Sequence, residues 1–279
     1  MKLKCLWGLA VVIMASSCQQ MSEIATEGKN KTISFEVDFD IEKNAISRGA
    51  LEDYVNFLQV YDYKNGVLAN ELTQSKEDEG FGVITLNADY GTHELVFVGH
   101  NSTTCNYDYD KSELSFDKVM DTFTAFQTLD VDIDTEESQS VKLERQIAGI
   151  KLVMEDAVPQ NAAAIELTVN GYSSALDPKT GKGSTGTEHV RRWEYSAANI
   201  GKKATSYTLY TFLPEEDHLV NITIRLEDND GNDIVNYTLN DIPVEKNKMT
   251  VISGNLLSTC VSTSIVIDGE WDDEIKIKI

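Results

Sequence analysis

The chain has 279 residues, 41% hydrophobic and 25% charged, with a formal net charge of −22 at pH 7. Such an acidic balance argues against nucleic acid as a partner and against direct docking on anionic lipid, since both rest on clustered Lys and Arg. The length accommodates two domains of ordinary size once a leader is set aside.

Lys2 and Lys4 precede an apolar run from Leu6 to Ala15. That run is shorter than the roughly 20 residues a spanning helix needs, and it has the form of a signal-peptide core, with residues 1–17 as the leader. It ends in Ala15-Ser16-Ser17-Cys18, which resembles the cleavage site of bacterial lipoproteins, with Ala15 where Leu is usual. On this reading Cys18 is the lipidated first residue of the exported protein, and several acyl chains hold it in the membrane. The alternative is an ordinary signal peptide cut near Ser17. Cys105 and Cys260 lie far apart and show no metal spacing. Either they pair in an oxidising compartment or both stay as buried thiols.

Thr32–Asp40 alternates strictly, with Ile33, Phe35, Val37 and Phe39 on one face and polar residues on the other, the period of a half-buried strand. Val55–Tyr63 is β-branched and aromatic and runs into Asn65-Gly66, a hairpin signal. Gly82–Leu86 and Glu94–Val98 read as strands around Asp89-Tyr90-Gly91. Lys111–Phe123 reads as a helix, because Leu114, Val119, Met120 and Phe123 can share one face. Ala125–Ile133 returns to strand. After the acidic stretch Thr135–Ser140, alternation at Val141, Leu143, Arg145 and Ile147 runs on to Met154, and a domain boundary is expected near Gln146. Ile165–Val169, Tyr207–Leu213, Val220–Leu226, Ile234–Leu239, Met249–Ile252, Ser264–Ile267 and Ile275–Ile279 complete the strands, with a Gly-rich loop at Asp177–Thr187 and a turn at Asp230-Gly231. Many short strands separated by turn residues predict an all-β chain of β-sandwiches with at most one or two short helices.

No constellation of catalytic residues is visible, so no enzyme is expected, and neither a cofactor nor a metal. The four histidines, His93, His100, His189 and His218, stand in no metal or catalytic spacing. The loop Gly181–Gly186 lacks the spacing of a phosphate loop. Asp228–Asp233 is a turn and not an EF-hand, since Leu226 and Tyr237 would occupy two ligand positions. The pairs Tyr107/Tyr109 and Trp193/Tyr195 are candidate sugar platforms, or parts of the core.

Three segments carry a resemblance. Val141-Lys142-Leu143-Glu144-Arg145-Gln146-Ile147-Ala148 resembles the V-x-L-x-R-x-V-A stretch at the domain junction of fimbrillin-type fimbrial subunit lipoproteins of type V pili. Val60–Gly66 is similar to their V-Y-x-Y/F-x-x-G hairpin, and Ile242–Gly254 to their V-P-L-x-x-N-x-x-T-x-L-x-G. The resemblance implies two transthyretin-like β-sandwich domains in tandem, here residues 49–146 and 147–279, after a lipid-anchored segment, 18–48. It also implies an outer-membrane lipoprotein at the cell surface that serves as stalk, tip or anchor of a fimbrium and supports adhesion. Its partners would be other fimbrial subunits, the outer membrane through the lipid, and host or bacterial surface ligands. In stalk subunits of the family an Arg-specific protease removes the first strand and a neighbour donates another, a form of β-augmentation. By that pattern Ile33, Phe35, Val37 and Phe39 form the removable strand, and Arg48-Gly49 is the processing site. Ile275, Ile277 and Ile279 form a donor strand, or else an edge strand of the chain's own second domain. The alternative function is a surface glycan-binding lipoprotein with two sandwich modules, for which Trp193 and Tyr195 would need to be flat and exposed.

Overall fold

The computed structural model describes residues 29–39, 51–215, 217–257, 263–268 and 275–278. Twenty strands and one short 3-10 turn at Leu51–Asp53 make up the regular structure of these residues. The strands of the first half are β1 (Asn30–Phe39), β2 (Phe57–Lys64), β3 (Val67–Ser75), β4 (Val83–Asp89), β5 (Gly91–His100), β6 (Cys105–Asp108), β7 (Glu113–Phe116), β8 (Thr122–Val131) and β9 (Ser138–Arg145). Those of the second half are β10 (Ile147–Met154), β11 (Ala162–Tyr172), β12 (Ala175–Asp177), β13 (Lys182–Gly183), β14 (Thr187–Glu194), β15 (Thr205–Phe212), β16 (Asp217–Asp228), β17 (Asp233–Glu245), β18 (Met249–Gly254), β19 (Thr263–Asp268) and β20 (Ile275–Lys278).

The first sheet has the order β3-β2-β5-β8-β9-β1-β4. It folds over where β8 and β9 meet, a contact of only Phe123 with Arg145 and Thr124 with Glu144. The result is two leaves, and alternation on each points one set of side chains into the space between them. Ile33, Phe35, Ile84, Leu86 and Leu143 come from one leaf, and Leu58, Val60, Leu95, Phe97 and Phe123 from the other. Phe35 meets Phe97 across this space at 5.2 Å between ring centroids, and Phe39 meets Phe123 at 4.4 Å. The β2–β5 leaf is buried on its other face as well. There Tyr61, Val96 and Val98 join the core that also holds Ile150, Leu167, Phe212 and Ile224. Burial on both faces explains the unbroken apolar run Leu95–Val98.

The second half contributes a five-stranded sheet, β15-β10-β18-β19-β20, and a four-stranded sheet, β14-β11-β16-β17. Val220, Ile222, Ile224 and Leu226 of β16 are all buried, as their alternation predicts. A further small sheet, β13-β12-β7-β6, takes strands from both halves, with β7 pairing β12 through Ser115 with Ala175 and Leu114 with Leu176.

The helix expected over Lys111–Phe123 does not form. Residues 113–116 are β7, paired with β6, and the chain then crosses in a loop to β8. Ser112 turns the chain in the left-handed region at φ 52°, and Ser112, Ser115, Asp117 and Asp121 are all weak helix formers. Leu114, Val119 and Phe123 are buried, but Leu114 and Val119 enter one core and Phe123 the other. A single helical face could not serve both.

Candidate functional site

The first strand is inserted between two others, with its apolar face buried. β1 runs parallel to β9, from Ser34 opposite Ser138 to Phe39 opposite Leu143, and antiparallel to β4 on its other side. Ile33 and Phe35 are 0% exposed, Phe39 1% and Val37 5%. Removing four such side chains from apolar surroundings costs roughly 6–12 kcal/mol at about 1.5–3 kcal/mol each. The vacated space would be strand-shaped, floored by Phe97 and Phe123 and bordered by unpaired groups of β4 and β9. Arg48 and Gly49 lie outside the described residues, as does Cys18.

At the other end of the chain, β20 pairs only with β19, setting Ile275 opposite Ile267 and Ile277 opposite Ile265, and it ends the five-stranded sheet. An edge strand keeps half the ladder bonds of a central one. Ile279 lies outside the described residues.

The three motif segments acquire physical roles. In the first, Val141 and Leu143 fill the space between the leaves, and Arg145, two residues on along the same face, is 5% exposed at its end. Its guanidinium grips Asp121 with Nε at 2.9 Å and a second nitrogen at 3.0 Å, donates to Asn247 Oδ1 at 3.3 Å, and stacks on the Phe123 ring at 4.8 Å. One side chain thus ties β9, the loop before β8 and the β17–β18 turn. In the second, Val60 and Tyr61 face opposite cores, and Tyr61 donates its hydroxyl to the Cys105 carbonyl at 2.8 Å. Asn65 and Gly66 take φ of 52° and 77°, the left-handed pair that a tight hairpin needs. In the third, Asn247 turns at φ 62°, and Thr250 donates to the Pro243 carbonyl at 2.7 Å.

Cys105 is a buried free thiol whose pKa burial pushes up to about 12, so it is unreactive. Cys260 lies outside the described residues. Asp228 accepts from the backbone N–H groups of Asp230 and Asn232, at 2.9 and 2.8 Å, so its carboxylate closes the turn. Among the described residues no group of three or more His, Cys, Asp or Glu is placed to hold a metal, and no helix is long and apolar enough to cross a membrane. The Gly-rich loop is the β12–β13 hairpin. Gly183 there lies so close to β15 that a Cβ would sit 2.9 Å from the Leu213 nitrogen.

Neither aromatic pair forms a flat exposed platform. Tyr107 is buried, and Tyr109 stacks on Tyr63 at 4.4 Å. Trp193 packs on Tyr207 at 5.3 Å, and Tyr195 shares a 2.6 Å hydroxyl contact with the same tyrosine. The sequence reading missed Asp121 and Asn247 as partners of Arg145. It also missed His93, which burial and two acceptors single out. Only the i, i+2 placement of Asp62 and Lys64 around the half-buried Tyr63 in β2 hinted at a polar pocket there.

These features define an all-β sandwich protein in which buried polar groups such as Arg145, Asp62 and His93 tie separate strands together. The chain belongs to the Family of unknown function (DUF6562), whose model matches residues 89–279. No curated protein matches it. Its fold is shared with a candidate adhesin from Bacteroides ovatus at TM-score 0.56 and 10% identity, over 89% of this chain and 96% of that one. The fimbrial anchor protein Mfa2 from Porphyromonas gingivalis has the same fold at TM-score 0.52 and 11% identity, over 86% and 98%. A fimbrial assembly protein from Parabacteroides distasonis matches at TM-score 0.50 and 13% identity, over 89% and 99%.

Proposed function

We propose that this chain is a structural subunit of a cell-surface fimbria, exported as an outer-membrane lipoprotein through Cys18 and assembled by strand exchange. The observation that carries the reading is β1, an N-terminal strand whose whole apolar face is buried between two neighbouring strands. Such a strand plugs a groove that another strand of the same alternation can refill. The fold shared with a fimbrial anchor and a fimbrial assembly protein supports the same reading. Residues 49–146 and 147–279 then act as two sandwich modules stitched by the β6–β7 and β12–β13 hairpins. Cleavage between Arg48 and Gly49 frees β1, and Ile275, Ile277 and Ile279 refill the groove of the next subunit. A subunit that keeps its lipid and its first strand would serve as anchor or tip. The glycan-binding alternative loses its support at Trp193 and Tyr195, which are engaged with Tyr207.

The test treats the purified chain with an Arg-specific protease and follows polymerisation by light scattering and electron microscopy. Wild type should polymerise, and Arg48→Ala or a chain ending at Trp271 should stay monomeric. Polymers from both variants would overturn the exchange route. In cells, Cys18→Ala should leave the membrane fraction, and a variant that still sediments with membranes in high salt would overturn the lipid anchor.

A further inference from the structure

A second feature is independent of assembly. Between the Phe116–Met120 loop of the first half and strands β11, β14 and β15 of the second lies a cleft of about 290 Å³. Lys118 and Arg191 line it, with the side chains of Tyr172, Ser174, His189 and Thr208.

Its charge is the reverse of the molecule's. The chain carries 46 acidic against 24 basic side chains, yet two cations meet here with no ion pair for either among the described residues. The contrast with the next residue is direct. Arg192, exposed on the other face of β14, is bound to Glu194 at 2.7 Å and to Glu227. Burial and the neighbouring Arg191 hold Lys118 below its ordinary pKa. One carboxylate, Asp117, also lines the cleft beside Lys118; its Oδ1 accepts from the Thr104 N–H at 2.9 Å, and the two cations leave the lining with a net positive charge. Unpaired like charges brought together in a concavity form a standing site for an anion.

The wall is equally specific. Tyr172 and His189 stack at 4.0 Å between centroids and 13° between planes. Burial and Arg191 keep the His189 pKa low, so at neutral pH the half-buried His189 ring, backed by the buried Tyr172, is an uncharged surface, and Ser174 and Thr208 supply hydroxyls. The volume sits at the lower end of ligand pockets, about 300–1,000 Å³, which suits one ring and not a long chain segment.

We propose that this cleft binds a carboxylate-bearing sugar residue, its carboxylate held by Arg191 and Lys118 and its ring set against the Tyr172–His189 wall. Arg191 supplies the directional, two-pronged contact, and Lys118, at the open side, a mobile charge. The open side admits the terminal residue of a glycan.

The full exported chain is titrated with methyl glucuronide by calorimetry and ligand-observed NMR, with methyl glucoside and acetate as comparisons. Saturable binding of the uronide is expected, with at least about tenfold weaker binding of the glucoside and of acetate. Arg191→Gln should weaken the uronide about tenfold or more, the loss of one charge-assisted contact, while Arg192→Gln leaves it unchanged. Melting curves establish that the variants are folded. Should Arg191→Gln be unstable, Lys118→Gln at an exposed position carries the same expectation. No saturation by the uronide, equal binding of acetate, or an unchanged affinity in the folded cleft variant would each overturn the proposal. Any of these results leaves the polymerisation assay unaffected.

Discussion

His93 Nδ1 lies 2.6 Å from Asp62 Oδ1, and both side chains are essentially sealed from solvent, at 1% and 0% exposure. The second ring nitrogen, Nε2, lies 2.8 Å from the Asp89 carbonyl. The Asp89 carbonyl can only accept, so Nε2 carries a proton, and an ionised Asp62 calls for a second proton on Nδ1, which would make the ring a cation clamped between β2 and the β4–β5 turn. Asn70 donates to the remaining oxygen of Asp62 at 2.7 Å, which completes the pocket.

The hydrogen bond to Asp62 raises the His93 pKa above its ordinary 6.5. Its contribution to stability is therefore complete below about pH 6.5 and is lost as pH rises through the folded value. Urea unfolding at steps from pH 6 to 9 should show wild type weakening with pH and His93→Gln lacking that part of the slope. Parallel profiles for the two would show that the pair is not charged.

His100 has the opposite sign. It is buried between Phe57 and Phe116, neither ring nitrogen makes a hydrogen bond of good geometry although the Ser102 backbone lies near, and burial pushes its pKa down to about 4. The stability it permits is present above pH 6.5 and falls as pH drops toward 4, by up to about 3 kcal/mol at about 1.4 kcal/mol per pH unit. His100→Leu should melt with a shallower loss between pH 7 and 4, and an unchanged loss would argue that the ring finds a partner when protonated.

Arg145 to Met should destabilise by about 2–4 kcal/mol, because it leaves the half-buried Asp121 carboxylate without its partner. The double variant with Asp121→Leu should recover much of that. Chemical unfolding of both proteins measures it, and a single-variant cost below about 1 kcal/mol would mean that water reaches Asp121.

Ile222 and Ile224 are both 0% exposed in β16. Replacing either with Ala should cost roughly 2–5 kcal/mol. Equilibrium unfolding decides this, and costs under about 0.5 kcal/mol at both positions would place that face outside the core.

Alternation made β1, β2 and β16 legible, because one buried face leaves a period of two in the sequence. The Asn65-Gly66 turn was equally plain, since only a left-handed pair fits there. Less legible was what depends on distant partners. Lys111–Phe123 has helical spacing over a short window, but β7 takes its place from β6 and from β12, which lies about 60 residues away. Nothing local in Ile33–Phe39 indicates a parallel partner at Val141–Leu143. The cleft at Arg191 was invisible for the same reason. Lys118, Tyr172 and Arg191 belong to separate elements, and Trp193 and Tyr195 drew attention by proximity in sequence alone.

The parallel pairing of β1 with β9 also has a mechanical meaning. A pull entering ahead of Asn30 and resisted beyond Ile147 drags the two strands in opposite directions along their shared axis. The bonds between Ser34–Phe39 and Ser138–Leu143 are then loaded together in shear, and cannot be peeled apart one at a time. Breaking several at once raises the barrier to forced unfolding, which sets how long a tethered protein survives under load.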